Sequence, residues 1–202
     1  MTNGRPAVIV LAAGEGTRFD GPGHKLEQRL GPGGETLLAR TLRHAIETEL
    51  RVVVVCSERL APMVHNTMAA RDTVIIPSER HHQGMGVSIA AGVEASGDAN
   101  GWLILPGDMP LIQPSTLLAV AEALSQYPVA YAQHRGRRGH PVGFSAELYS
   151  ELIALKGDEG ARRIVARYPA EGIELDDAGT LLDVDTRADL QRLHTSLHHS
   201  VF

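Results

Sequence analysis

Short aliphatic, β-branched runs recur along the chain and alternate with stretches whose apolar positions fall three and four apart, so strands alternate with helices. Ala7-Val-Ile-Val-Leu-Ala12 has no polar position and predicts a strand buried on both faces. Residues 51–56, 73–76 and 102–105 predict further strands, the last stopping at Pro106-Gly107. Leu37, Leu38, Thr41, Leu42, Ala45 and Ile46 share one helix face, with Thr36 placed to cap it. Helices are also expected over 58–70, over 85–95 after Gly84, and over 114–125, where Pro114 sits near N1 at no cost in hydrogen bonding. Strands at 127–133 and 141–145 flank a basic loop, Arg135-Gly-Arg-Arg-Gly139. Two short helices near 146–155 and 159–167 follow, then strands near Ile173 and Leu181 and a last helix from Arg187. This alternation predicts an α/β fold with a largely parallel sheet and helices on its faces.

One segment breaks the pattern. From Gly14 to Gly34 the chain is glycine-rich, polar and interrupted by Pro22 and Pro32, which predicts a long loop of the kind that usually carries function.

At 202 residues the chain is expected to form a single domain spanning 1–202, with 43% hydrophobic and 21% charged residues placing it among ordinary folded proteins. A net charge of −5 and 4% aromatic residues argue against a nucleic-acid partner. The longest apolar runs, residues 7–13 and 52–56, are far below the ~20 residues of a membrane span. Arg5 ahead of the first run loosely imitates a secretory leader, but that run is at the short limit of ~7–15 residues, and no leader is expected. The single cysteine, Cys56, excludes an intrachain disulfide and points to a reducing, cytoplasmic setting; it reads as a small buried hydrophobe. Trp102 reads as core. Among the ten histidines, His81-His82 read as polar surface and His194 with His198 as a solvated face of the last helix.

Three segments carry candidate chemistry. Leu11-Ala-Ala-Gly14-Glu-Gly16-Thr-Arg18-Phe19 runs from a strand into a glycine-rich turn, with Lys25 shortly after. Glycines let backbone N–H groups approach an anion, and Arg18 and Lys25 supply charge for a polyphosphate. The plainer reading is an ordinary strand-to-loop turn. No glycine at position 19 completes a dinucleotide fingerprint and no Gly-Lys-Ser/Thr completes a P-loop, so any phosphate loop here is of another kind. In Leu103-Ile-Leu-Pro106-Gly-Asp108-Met-Pro110, a carboxylate lies just past the carboxyl end of a buried strand, where α/β sheets bind ligands and where Mg²⁺ takes one or two carboxylates with substrate phosphates. Asp108 as a plain turn residue is the alternative. In Leu182-Asp183-Val-Asp185-Thr186, an extended backbone would put both aspartates on one face, while Asp185 or Thr186 is equally suited to cap the last helix.

Together these segments resemble the molybdopterin nucleotidyltransferase family, and specifically its molybdenum cofactor cytidylyltransferases. The resemblance extends through Gly84-Met85 with Ser88, Gly107-Asp108-Met-Pro110, Gly139-His140-Pro141-Val142, Gly157-Asp158-Glu-Gly160-Ala-Arg162 and Asp183-Val-Asp185-Thr186, in the family's order from about residue 7 to 190. It implies a three-layer α/β/α, Rossmann-like nucleotide-diphospho-sugar transferase fold. The implied reaction transfers CMP from CTP to the phosphate of molybdopterin bearing molybdenum, releasing pyrophosphate, in the cytoplasm. Arg18 and Lys25 would hold the β- and γ-phosphates, and Asp108 would bind Mg²⁺, or Mn²⁺ in its place. Asp183 is favoured as the more direct second ligand, with Asp185 supporting. Leu11, Ala12, Ala13, Gly14, Gly84, Met85, Ser88, Pro106 and Gly107 would contact nucleotide or acceptor, with His140 and Asp158 on the pterin side; Asp158 as helix N-cap and Arg135–Gly139 as a phosphate clamp or solvated tip stay open. Ala13 resembles the cytidylyl branch, where guanylyl relatives tend to carry glycine. The implied partners are CTP, molybdopterin and a receiving molybdenum hydroxylase or its chaperone. Departures are Phe19 in place of methionine, Gly86-Val87 at positions often serine, and a longer arginine-to-lysine gap filled by Asp20-Gly-Pro-Gly-His24. Other donors or acceptors (GTP, a sugar 1-phosphate) and a non-catalytic cofactor-delivery role are the competing readings.

Overall fold

Among the described residues the strands are β1 (Ala7–Ala12), β2 (Arg51–Ser57), β3 (Thr73–Ile76), β4 (Gly101–Pro106), β5 (Val129–His134), β6 (Arg137–Ser145) and β7 (Ala170–Glu174). Six of these seven run in one direction, in the order β3-β2-β1-β4-β6-β5-β7, and β6 opposes its neighbours. The computed structural model describes residues 4–31, 33–77, 79, 84–158 and 160–199. His81 and His82 lie outside the described residues, as does Glu159.

Alternation along the strands builds two cores. Val8, Val10, Val52, Val54, Leu103 and Leu105 pack on one sheet face with Leu38 and Leu42 of α1 (Leu37–Ile46), Val64 of α2 (Ala61–Val64) and Leu117 and Val120 of α4 (Pro114–Ala123). Ile9, Val53, Val55, Trp102, Ile104 and Phe144 pack on the other with Ile89 and Val93 of α3 (Met85–Glu94), Leu152 of α5 (Tyr149–Ile153) and Ile164 of α6 (Arg162–Arg167). These are the three layers expected of the alternating pattern. A small third cluster, Leu30, Leu37, Val184 and Leu193, ties α7 (Arg187–His199) and the residue before Asp185 to the end of the glycine-rich loop and the start of α1. Trp102 and Cys56 are fully buried, and burial pushes the Cys56 thiol up to about 11. The first apolar run, with its weak likeness to a leader, is strand β1, inside the sheet between β2 and β4. No helix among the described residues is long and apolar enough to cross a membrane.

Several boundaries differ from the sequence reading. The helix expected over 58–70 shrinks to α2, because Pro62 occupies its first turn and the N–H groups of Thr67 and Met68 both close back on the Val64 carbonyl. No strand forms at Leu181. The buried Asp177 takes the N–H of Gly179 and the Thr180 hydroxyl bonds the Asp177 carbonyl, turning residues Ala178–Leu181 into a 3₁₀ helix. The basic loop is a two-residue hairpin turn. Arg135 and Gly136 both have positive φ, 51° and 72°, so β6 starts at Arg137 and absorbs the remaining arginines. Asp158 does not cap α6, whose N-cap is Ala161.

Candidate active site

From β1 the chain passes through α1 to β2 on one side, while β4 returns on the other, so the carboxyl ends of β1 and β4 flank the point where the strand order reverses. A cavity of about 410 Å³ opens there. β1 and the loop behind it contribute residues including Leu11, Ala12, Ala13, Gly14, Arg18 and Lys25; α3 and its N-cap contribute Gly84, Met85 and Ser88; β4 and its exit contribute Pro106 and Asp108; Asp158 and Asp185 also lie in the wall. An added Cβ on Gly14 would meet nothing within 4 Å, so the loop presents bare backbone to the opening. Gly84 is the tight point. Its φ is 82° and a Cβ there would approach the Gly157 carbonyl carbon to 2.3 Å, so only glycine lets α3 start against the Gly157–Asp158 segment.

Inside the cavity, charges meet that are distant in sequence. The Lys25 ammonium lies 2.6 Å from Asp108 Oδ2 and 2.7 Å from Asp185 Oδ1, and the exposed Arg18 reaches Asp185 Oδ2 at 2.6 Å. Burial pulls the Lys25 pKa down, but the charges and hydrogen bonds of Asp108 and Asp185 outweigh it and raise the net value above the ordinary lysine range. Asp108 Oδ1 is buried and, among the described residues, is the one buried side-chain polar atom without a hydrogen-bond partner. An orphaned hard oxygen beside a second carboxylate fits a divalent cation with oxygen preference. No cluster of three or more His, Cys, Asp or Glu that could hold a metal occurs among the described residues, so a cation here would complete its shell with substrate oxygens and water.

The frame beneath these charges is backbone. Gly107, itself outside the cavity wall, donates its N–H to the Leu11 carbonyl (2.9 Å), and Thr41 Oγ1 bonds the Gly107 carbonyl (3.0 Å). The Val184 N–H bonds the Asp108 carbonyl at 3.1 Å, which seats residues 183–185 beside the β4 exit. Thr186 takes the cap of α7: its Oγ1 accepts from the Asp189 N–H while Asp189 accepts from the Thr186 N–H. That leaves the Asp185 carboxylate to the cations. Asp183 is exposed and absent from the cavity wall, and Asp185 is the aspartate that faces Lys25.

His140 stands on the β6 side, joined to Pro141 by a cis peptide. Burial depresses its pKa and Arg138 adds to this, while Asp108 and Asp183 oppose it. Arg138 stacks on Tyr131 with its guanidinium carbon 4.5 Å from the ring centre. One residue of consequence escaped the sequence reading. His24 is buried and caps the 3₁₀ turn Lys25–Glu27. The available signal was Glu27, three residues on, which completes a capping box.

Residues 8–172 match the family described as "MobA-like NTP transferase domain". The chain belongs to the MobA-like NTP transferase family. Its members' chemistry makes this chain a nucleotidyltransferase with a nucleoside triphosphate as substrate. The matched stretch holds every cavity residue except Asp185, which follows it. Among relatives, the purine catabolism protein PucB of Bacillus subtilis (strain 168) is 28% identical over 190 residues, covering 88% of this chain and 90% of that protein. The bifunctional protein GlmU of Corynebacterium aurimucosum is 34% identical over 203 residues, covering 95% of this chain and 41% of that protein, so the chain spans about two fifths of GlmU. Rv0371C from Mycobacterium tuberculosis H37Rv, solved in complex with manganese, superposes with a TM-score of 0.76 at 26% identity, covering 95% of this chain and 99% of that one.

Proposed function

We propose that this MobA-like NTP transferase transfers CMP from CTP to the phosphate of molybdopterin carrying molybdenum, releasing pyrophosphate. The observation that carries the reading is the Lys25 ammonium held between Asp108 and Asp185 at the carboxyl ends of β1 and β4, with Arg18 at the mouth. An oxygen of the acceptor phosphate attacks the α-phosphorus and forms the new P–O bond; the bond from that phosphorus to the bridging oxygen breaks, and pyrophosphate leaves with the electron pair. Two anions must be brought together, so positioning and charge neutralisation are most of the task, and no nucleophilic side chain is needed. Arg18 and Lys25 take the β- and γ-phosphates. Asp108 and Asp185 would hold a divalent cation, Mg²⁺ or Mn²⁺, which when bound would supply Lewis acidity. Asp183, whose charge acts on His140, is assigned to the acceptor side in this reading.

CTP is preferred over GTP in this reading because Ala13, in the loop at the cavity wall, resembles the cytidylyl branch. A sugar 1-phosphate acceptor is the competing reading. The chain is proposed to act as one domain in the cytoplasm and to hand its product to a molybdenum hydroxylase or its chaperone. Pyrophosphate release from purified protein, CTP, Mg²⁺ and molybdopterin tests the assignment. Comparable or better turnover with GTP overturns the donor, and turnover only with a sugar 1-phosphate overturns the acceptor.

A further inference from the structure

His24 lies in the segment that lengthens the interval between Arg18 and Lys25, and yet it is 6% exposed. Its ring joins two pieces of the cavity wall. Nδ1 accepts from the Leu26 N–H at 3.1 Å, which leaves the ring proton on Nε2, and Nε2 donates to the Gly14 carbonyl at 2.9 Å. The backbone of His24 is held as well: its N–H donates to Glu27 Oε2 (2.9 Å), and the same oxygen takes Arg59 at 2.8 Å. A Cβ built on Gly16 would meet Lys25 Cγ at 3.2 Å and His24 Nε2 at 3.5 Å, so the glycine-rich turn rests on the His24-Lys25 pair.

A trans peptide carries its C=O and the following N–H on opposite edges. A Gly14 carbonyl held by His24 is therefore kept from rotating toward the cavity, where its partial negative charge would face a polyphosphate. The same ring closes the turn from which Lys25 reaches Asp108 and Asp185.

We propose that His24 is a positioning residue for the polyphosphate, acting through its Nε2 donor, which fixes the orientation of the Gly14 peptide. The proposal rests on the nucleotidyl-transfer reading of the cavity. It adds to that reading a residue that touches no substrate and works through Gly14.

Two conservative variants separate the ring's two bonds. In His24→Asn the side-chain oxygen stands near the place of Nδ1 and still caps the turn, but no donor reaches Gly14. In His24→Gln the amide nitrogen stands near the place of Nε2 and restores the donor to Gly14. Calorimetry with tripolyphosphate, CTP and cytidine, each with Mg²⁺, reads the effect alongside thermal melts. Release of the Gly14 peptide predicts roughly 10-fold weaker binding of tripolyphosphate and CTP to His24→Asn, with cytidine binding close to wild type and Tm lower by roughly 2–6 °C. His24→Gln recovers most of that loss. Wild-type affinity for tripolyphosphate in His24→Asn overturns the proposal, as does an equal loss for cytidine or an equal loss in His24→Gln. Should His24→Asn fail to fold, His24→Gln decides alone: unimpaired tripolyphosphate binding supports the Gly14 bond, and a 10-fold loss overturns it. Wild-type protein that binds cytidine but no polyphosphate overturns the nucleotidyl-transfer reading itself, and the role of His24 with it.

Discussion

Replacing Lys25 by methionine keeps most of the side-chain volume and removes one charge from between two carboxylates. The Lys25 side chain is 12% exposed, Asp108 14% and Asp185 18%, so water supplies little compensation. Breaking a buried ion pair by removing one partner costs about 3–5 kcal/mol, because the other charge is left uncompensated. The lower end applies, since Arg18 remains 2.6 Å from Asp185 and the cavity opens to solvent. At about 2–4 °C per kcal/mol for a chain of this length, a loss of about 3 kcal/mol lowers Tm by about 6–12 °C.

A divalent cation should reverse much of that loss in the variant. It occupies the place the ammonium left, and at 100 times its Kd it returns about 2.7 kcal/mol. In the wild type, metal alone must first displace Lys25 and shifts Tm far less. Thermal melts of both proteins in EDTA and in Mg²⁺ or Mn²⁺ measure this directly, and Lys25→Met/Asp108→Asn, with the facing charge also removed, should melt above Lys25→Met. The sign with pH follows from the raised folded-state pKa of Lys25: its contribution is complete below the ordinary lysine value of 10.5 and fades as pH rises through the higher folded value. The gap between wild type and variant is therefore flat through neutral pH and narrows only in strong alkali. A variant that melts within about 2 °C of wild type and ignores divalent metal would refute the charge reasoning.

Asp108→Asn should fold and lose at least ~10²-fold in turnover, since it removes formal charge where the cation is proposed to sit; near-normal turnover at saturating Mg²⁺ sinks that role. Asp185→Asn should raise the Mg²⁺ requirement, while Asp183→Ala leaves it unchanged; a Mg²⁺ titration showing the reverse would return Asp183 to the position favoured by sequence. His140→Gln should flatten the acid limb of stability: the folded histidine titrates below 6.5, so wild type loses stability as pH falls through that value, by up to about 1.4 kcal/mol per pH unit. Parallel stability curves from pH 7 to 5, obtained from urea melts extrapolated linearly to zero denaturant at each pH, would remove that contribution.

The central strands and α1, α3 and α4 were legible because their apolar patterns are long and little interrupted: β1 has no polar position, and α1 carries one apolar face behind a threonine that does cap it, its Oγ1 accepting from the Ala39 N–H at 3.1 Å. What misled was local side-chain chemistry competing with periodicity. Leu181 sits in an apolar context, yet Asp177 four residues earlier draws the backbone into a 3₁₀ turn. Arg135-Gly136 reads as a loop until both residues adopt positive φ and the strand resumes at once. The gathering of Gly14, Lys25 and Asp108 at one sheet edge was readable, since strand ends in a parallel sheet share an edge. The choice between Asp183 and Asp185 was not, because it turns on Thr186 rather than Asp185 capping α7.

Lys25 is 83 residues from Asp108 and 160 from Asp185, so nothing local brings these charges together. Each is seated by backbone hydrogen bonds that do not involve its charge. Asp108 follows a glycine pinned to β1 through the Leu11 carbonyl and to α1 through Thr41; Asp185 follows a valine pinned to the Asp108 carbonyl; Lys25 opens a turn closed by His24. A cluster held together by its own ion pairs would rearrange when a polyphosphate and a cation entered. Here the frame is set by the core and by neutral hydrogen bonds, so the Lys25 ammonium can leave the carboxylates for phosphate oxygens while the carboxylates keep their aim. That is preorganisation in a physical sense: the orientation of the charges is fixed during folding, and only their partners change during the reaction.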